Sequence, residues 1–203
     1  VFFASTPLNN EILKSLKSKF INGIIVPRGR VFDYIEEADS ILLGPGLPRG
    51  DGLGAEEEST KVITETLLSR YPDKNWVVDG GSLQVIEPEM LPKNVMVTPN
   101  KKEFEMLFGL KPIHKNVEKM AKKYQIIILL KGTEDYICDS EKCIVNRGGN
   151  AGMTKGGTGD ILAGLAAAFF AKNDAFLSAS AASYINKRAG EALEKKKGIY
   201  FNA

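Results

Sequence analysis

Histidine and cysteine are almost missing from this sequence. His114 is the one histidine in 203 residues, which all but excludes a His-based zinc site or a Ser-His-Asp triad. The two cysteines, Cys138 and Cys143, are too few for a disulfide framework. No apolar run approaches the roughly 20 residues of a membrane span, and none resembles a signal peptide. An excess of one charge is lacking as well: Lys plus Arg is 27, Asp plus Glu is 25, and the net charge is +2. That balance removes the electrostatic reason to expect nucleic acid or an anionic membrane as the partner. What remains is ordinary for a folded protein, with 43% hydrophobic and 26% charged residues, and a length suited to one domain with a sizeable core. A cytoplasmic location is the default expectation. Val1-Phe2-Phe3-Ala4 already reads as a buried strand, and Ile199–Ala203 as neither a finished helix nor a strand, so both ends read as continuing beyond the chain.

Strand and helix signals alternate. Short apolar runs predict strands at Val1–Ala4, Ile24–Val26, Ser40–Leu43, Trp76–Asp79, Val95–Thr98 and Ile126–Leu130. Apolar residues at helical spacing predict helices over Leu8–Phe20 and Glu56–Arg70, with shorter ones at Lys101–Phe108 and Asn116–Tyr124. Such repeated units imply a mainly parallel sheet covered by helices on both faces. Tyr136–Cys138 and Cys143–Val145 then flank a four-residue turn and read as an added hairpin, followed by helices near Gly159–Ala171 and Ala175–Lys195. The whole reads as one α/β domain.

Ligands of parallel sheets bind beyond the carboxyl ends of the strands. Those ends carry Gly44-Pro45-Gly46-Leu47, Asp79-Gly80-Gly81, Thr98-Pro99-Asn100 with Glu103, and Lys131-Gly132-Thr133. Any one of them is readily a turn; four in one crevice read as a site. The sharpest segment is Asn150 through Asp160, where Gly156-Gly157-Thr158-Gly159 opens a helix. Free N–H groups at the positive end of a helix suit a phosphate or a developing anion. Asp160, in the first turn, can take a proton from a hydroxyl as that oxygen attacks phosphorus. A helix cap alone would need only one polar residue, not this run of glycines. The P-loop pattern is absent, and Gly44-Pro45-Gly46 is followed by Gly50, one residue late for a dinucleotide fingerprint; Pro45 and Pro48 would also block a helix starting there.

Gly156–Asp160 resembles the anion-hole and base signature of ribokinase-like enzymes, and Asn100-Lys101-Lys102-Glu103 resembles their Asn-x-x-Glu motif. With Gly44–Leu47, Val77-Val78-Asp79, Thr98–Asn100, Leu130-Lys131-Gly132 and Asn150–Gly164, the chain is most similar within that superfamily to the NAD(P)H-hydrate dehydratase family, the YjeF carboxyl-terminal type. The resemblance implies a ribokinase-like three-layer α/β/α fold and ADP- or ATP-dependent dehydration of hydrated NADH or NADPH (NADHX, NADPHX). It implies Asp160 as the base, and Gly156, Gly157, Thr158 and Gly159 as the anion hole. Gly46, Asn100, Glu103 and Asp160 would meet the hydrate. Lys131, Gly132, Thr133, Glu134, Asp135, Asn150 and Gly159 would meet the adenine nucleotide, with Mg²⁺ near Glu103. It further implies a homo-oligomer, an amino-terminal strand and helix before Val1, and an epimerase domain or partner.

Alternatives stay open. A small-molecule kinase of the same superfamily, acting on a hydroxymethylpyrimidine or thiazole alcohol, would share Asp160 and the glycine nest. A non-catalytic adenine-nucleotide sensor would bind without turnover. The donor is open between ADP and ATP, with ADP favoured by Asn150-Ala151-Gly152-Met153 and the small-residue helix. His114 reads as a surface loop residue, Trp76 as core, and Cys138 and Cys143 as reduced thiols, with a cross-strand disulfide as the alternative. Asp79 reads equally as a site residue or a structural one.

Overall fold

A computed structural model describes residues 1–16, 18–19, 21–48 and 60–203. The chain forms two compact units, Val1–Ala38 and Asp39–Ala203. In the first unit, β1 (Phe2–Ala4) and β2 (Ile24–Val26) form a parallel pair with α1 (Pro7–Ser15) between them and α2 (Val31–Ile35) after them. The expected burial of β1 does not hold: Phe2 is 39% and Val1 86% exposed. A two-stranded pair covers too little of either face to bury both. Thr6 caps α1 and Pro7 opens it, the usual chemistry of a helix start. Phe20, the expected end of that helix, lies outside the described residues.

The second unit is built on a six-stranded sheet in sequential order. Its strands are β3 (Ile41–Leu43), β4 (Trp76–Val78), β5 (Met96–Val97), β6 (Ile127–Leu130), β7 (Glu134–Cys138) and β8 (Cys143–Arg147). The first four are parallel, and β7 and β8 add the expected antiparallel hairpin. Helices α3 (Thr60–Arg70), α4 (Gly80–Leu83), α5 (Lys101–Phe108) and α6 (His114–Tyr124) connect the strands; α7 (Thr158–Phe170) and α8 (Ala175–Lys197) follow them. Glu56–Ser59, the expected start of α3, lie outside the described residues, as does Gly50. His114 is not in a loop: it opens α6, because Ile113 takes the extended N-cap conformation.

Alternation along the strands sorts the core. Val77, Met96, Ile127, Leu129 and Ile137 pack with Leu162, Ala163, Ala166, Ala167 and Phe170 of α7 and with Ala179 and Ala182 of α8. The buried residues of α7 and α8 recur at helical spacing, and alanines let the two helices lie close together on the sheet. Trp76 points the other way, fully buried, and its indole N–H donates to the Tyr71 carbonyl at 2.7 Å.

Gly44, which ends β3, holds φ at +117°, and a Cβ built there would enter the carbonyl of Asp79 at the end of β4. Both the backbone conformation and the close approach demand glycine. Gly44→Ala should cost at least about 1–2 kcal/mol for the backbone conformation alone. A urea melt should therefore show a clear fall in midpoint.

Candidate functional site

The parallel strands end side by side, and cross-links between the segments after them fix their spacing. The Asp79 amide donates to the Leu43 carbonyl at 2.9 Å, and the Thr98 amide to that of Val78 at 3.1 Å. The Lys131 amide donates to Pro99 at 2.8 Å. Asp79 caps α4 through its backbone but spends its side chain elsewhere: its carboxylate meets the Lys131 ammonium at 2.7 Å, with the side chains 2% and 17% exposed. A Cβ added at Gly159 would lie 3.3 Å from the same ammonium. The ion pair therefore stands against the first turn of α7.

That turn is built by conformation rather than by a polar cap. Gly157 is the N-cap, with φ at +91° and no side-chain hydrogen bond, a geometry that suits glycine. The N–H groups of the first turn of a helix have no partner within it. Asp160 sits in that turn and is exposed. Among the described residues no hydrogen bond or ion pair engages its carboxylate. The carboxylate is therefore free to accept a proton from a ligand. The structure thus brings Gly159 and Lys131 together, with Asp79 paired to the lysine and Asp160 next to Gly159 in the chain.

Other expected site residues carry structural duties. Asn100 and Glu103 form a reciprocal cap at the start of α5: the Glu103 amide donates to Asn100 Oδ1 at 3.0 Å, and the Asn100 amide to Glu103 Oε2 at 2.9 Å. Glu103 is 5% exposed, and its Oε1 accepts from Gln84 Nε2 at 3.4 Å. Asp135 is turned away from solvent. It accepts from the Gly132 amide at 2.9 Å and the Ser183 hydroxyl at 2.7 Å, and pairs with Lys187 at 3.3 Å. Asn150 ties its turn to α8, donating to the Gly190 carbonyl at 2.8 Å and accepting from the Gly152 amide at 2.9 Å. Glu134 pairs with Arg147 at 2.6 Å; that hydrogen bond and the positive charge behind it hold its carboxyl below the usual range. Gly132 and Thr133 are exposed. Gly46 has φ at +74° with nothing near a Cβ position.

Lys187 is the residue that sequence reasoning misses. Its ammonium reaches the carbonyls of Gly132 at 3.1 Å, Thr133 at 3.2 Å and Gly148 at 3.4 Å. The signal was present: it is the one cation on a buried stripe of Ser178, Ala179, Ala182, Ser183 and Gly190. Two hydroxyls, Thr98 Oγ1 at the end of β5 and Thr158 Oγ1 at the start of α7, are buried with no partner among the described residues. A cleft of ≈ 420 Å³ lies between the Gly152–Lys155 segment and the Ile199–Asn202 tail.

A mainly parallel sheet between helical layers, with a glycine nest opening a helix beside an exposed aspartate, defines a ribokinase-like α/β protein. The model of the family described as NAD(P)H-hydrate dehydratase matches residues 8–203, and the chain belongs to that family. A bifunctional NAD(P)H-hydrate repair enzyme of Archaeoglobus fulgidus is 43% identical over 154 residues, 76% of this chain and 31% of that protein. An ADP-dependent (S)-NAD(P)H-hydrate dehydratase of Cenarchaeum symbiosum is 39% identical over 173 residues, 81% of this chain and 58% of that protein. The chain therefore spans only part of the length of these relatives. In structure it is similar to the ADP/ATP-dependent NAD(P)H-hydrate dehydratase of Bacillus subtilis co-crystallised with ATP/Mg²⁺ and soaked with CoA, with a TM-score of 0.78 and 20% identity over 96% of this chain and 73% of that one. Among the described residues no helix is long and apolar enough to cross a membrane.

Proposed function

We propose that this chain catalyses the nucleotide-dependent dehydration of (6S)-NADHX and NADPHX, with ADP as the donor. The carrying observation is the unpartnered Asp160 carboxylate in the first turn of α7, the turn whose Gly159 stands against the Lys131–Asp79 pair. Asp160 takes the proton from the hydroxyl at C6 of the hydrated ring as that oxygen attacks the terminal phosphorus. Amides of Gly156 to Gly159 receive the charge on the transferring phosphoryl, which is where fixed dipoles act most strongly. The nucleotide departs one phosphoryl shorter; phosphate then leaves C6 while C5 gives up a proton to solvent, and the C5–C6 double bond of the dihydronicotinamide is restored. The buried Thr98 and Thr158 hydroxyls support a polar ligand here, since buried donors left unpaired are uncommon. Gly46 and Asn100 are read as lining the hydrate side. Lys131, Gly132 and Thr133 are read as meeting the nucleotide, on a loop that Asp135 and Lys187 hold from behind. The donor assignment rests on the ADP-dependent enzymes among the relatives.

Magnesium fits the site through water. Each Glu103 oxygen already accepts one hydrogen bond, and each retains a lone pair for a hydrated ion; direct ligation would dismantle the cap of α5. The ion when bound supplies charge neutralisation on the phosphate oxygens. A neighbouring epimerase activity, as the bifunctional relatives carry in their names, and self-association are further parts of this reading.

The test is to mix the protein with hydrated NADH, magnesium and either ADP or ATP, and to follow the absorbance band of reduced nicotinamide. Recovery of the band with ADP is the expected result. A stable phosphorylated alcohol instead points to a kinase. No turnover with either nucleotide refutes the proposal.

A further inference from the structure

Cys138 and Cys143 occupy directly opposed positions of the β7–β8 hairpin, and the structure joins them in a disulfide with Cα atoms 4.1 Å apart. This overturns the expectation of reduced thiols, because the register places the two residues face to face. The cross-link closes a short loop, so it constrains the unfolded chain less than a long-range link would. A third group completes the cluster. Asp135 and Ile137 of β7 face α7 and α8, so Tyr136 and Cys138 face the opposite layer, where α6 packs. His114, at the first position of α6, meets the Tyr136 ring at 5.4 Å. Its ring and the two sulfurs offer ligand atoms that all lie within 4.8 Å of one another.

We propose that Cys138, Cys143 and His114 form a redox-gated site for a soft divalent cation of the zinc type. The bonded sulfurs carry no thiolate and bind no metal. A dithiol reduces them: two electrons pass to the sulfur–sulfur bond, each cysteine gains a proton, and the dithiol leaves as its own disulfide. Zinc then displaces the two thiol protons and takes both thiolates and the neutral imidazole. Bonds of about 2.3 Å to sulfur and 2.1 Å to nitrogen put tetrahedral ligands under about 4 Å apart, so the freed sulfurs part and the imidazole moves in by side-chain rotation. Three protein ligands leave the fourth position to water. The cluster lies at the end of β7 away from Glu134 and shares no residue with the Asp160 site, so the inference stands apart from the dehydratase reading.

Cobalt(II) reports the site directly. The full chain is reduced with dithiothreitol under argon, desalted and titrated with cobalt(II). Thiol titration should read none before reduction and two after, matching Cys138 and Cys143. The reduced protein should develop a thiolate-to-cobalt charge-transfer band and the visible bands of tetrahedral cobalt at one ion per chain, both erased by zinc, whereas the oxidised protein should show neither. Cys143→Ser should abolish the charge-transfer band at equal helicity by circular dichroism. His114→Ala should weaken binding by at least the ~10- to 100-fold that loss of an outer partner costs and should lower the tetrahedral bands. Free thiols before reduction overturn the gating. Absence of the bands after reduction overturns the site. Equal cobalt affinity in His114→Ala removes the histidine from it.

Discussion

Asp160→Asn should lower the turnover of hydrated NADH by about 10²–10⁴-fold, the range for loss of a positioned general base. It should leave the fold almost untouched. The carboxylate makes no hydrogen bond or ion pair among the described residues, so no native contact is broken. Only its interaction with the helix dipole is lost, about 0.3–1 kcal/mol at an exposed first turn. For a chain of this size that moves Tm by about 2–4 °C at most. On the proposed reading nucleotide affinity should persist, because the amides of Gly156 to Gly159 and the Lys131 ammonium remain. Calorimetric titration of ADP into the variant, a thermal melt and the nicotinamide absorbance assay separate these quantities. Full activity in the variant would remove Asp160 from the chemistry. A large fall in Tm would show that its role is structural.

The fold was legible because β4, β5 and β6 are continuous apolar runs and α7 and α8 repeat small residues at helical spacing. The hairpin was legible because Asp139–Lys142 is polar between two β-branched and aromatic runs. Short elements were not. Helix α4 has four residues, too few for any periodicity, and α2 has five, between a 3₁₀ turn and another turn. At the proposed site, the glycine-led start of α7 and the place of Asp160 in its first turn were visible because backbone geometry there is local. The duties of Asp135 and Asn150 were not. Both have their deciding partners on α8, some 40 residues or more away, and no local pattern encodes that distance. The same limit explains the cysteines: their spacing announces a turn, but only the register shows that the sulfurs meet and that α6 brings His114 beside them.

Lys187 gives the second large effect. Its side chain and that of Asp135 are each 6% exposed, and three carbonyls of two different loops converge on its ammonium. Lys187→Met keeps the length of the stem and deletes the charge. Asp135 is then left buried with neutral donors only, from Gly132 and Ser183. Breaking one partner of a buried pair costs about 3–5 kcal/mol, far more than a surface pair would. At roughly 2–4 °C per kcal/mol, Tm should fall by about 6–20 °C. The loop of Lys131 to Thr133 also loses the cation that gathers its carbonyls, so the KM for ADP should rise more than kcat falls. Asp135→Asn in the same chain should recover part of the lost stability, because it removes the uncompensated carboxylate while keeping an oxygen for the Gly132 amide. Thermal melts of the single and double variants, with ADP kinetics on each, test both halves of the argument. An unchanged Tm in Lys187→Met would mean that the Gly132 and Ser183 hydrogen bonds alone hold Asp135 in place. The lysine would then be a passenger on α8.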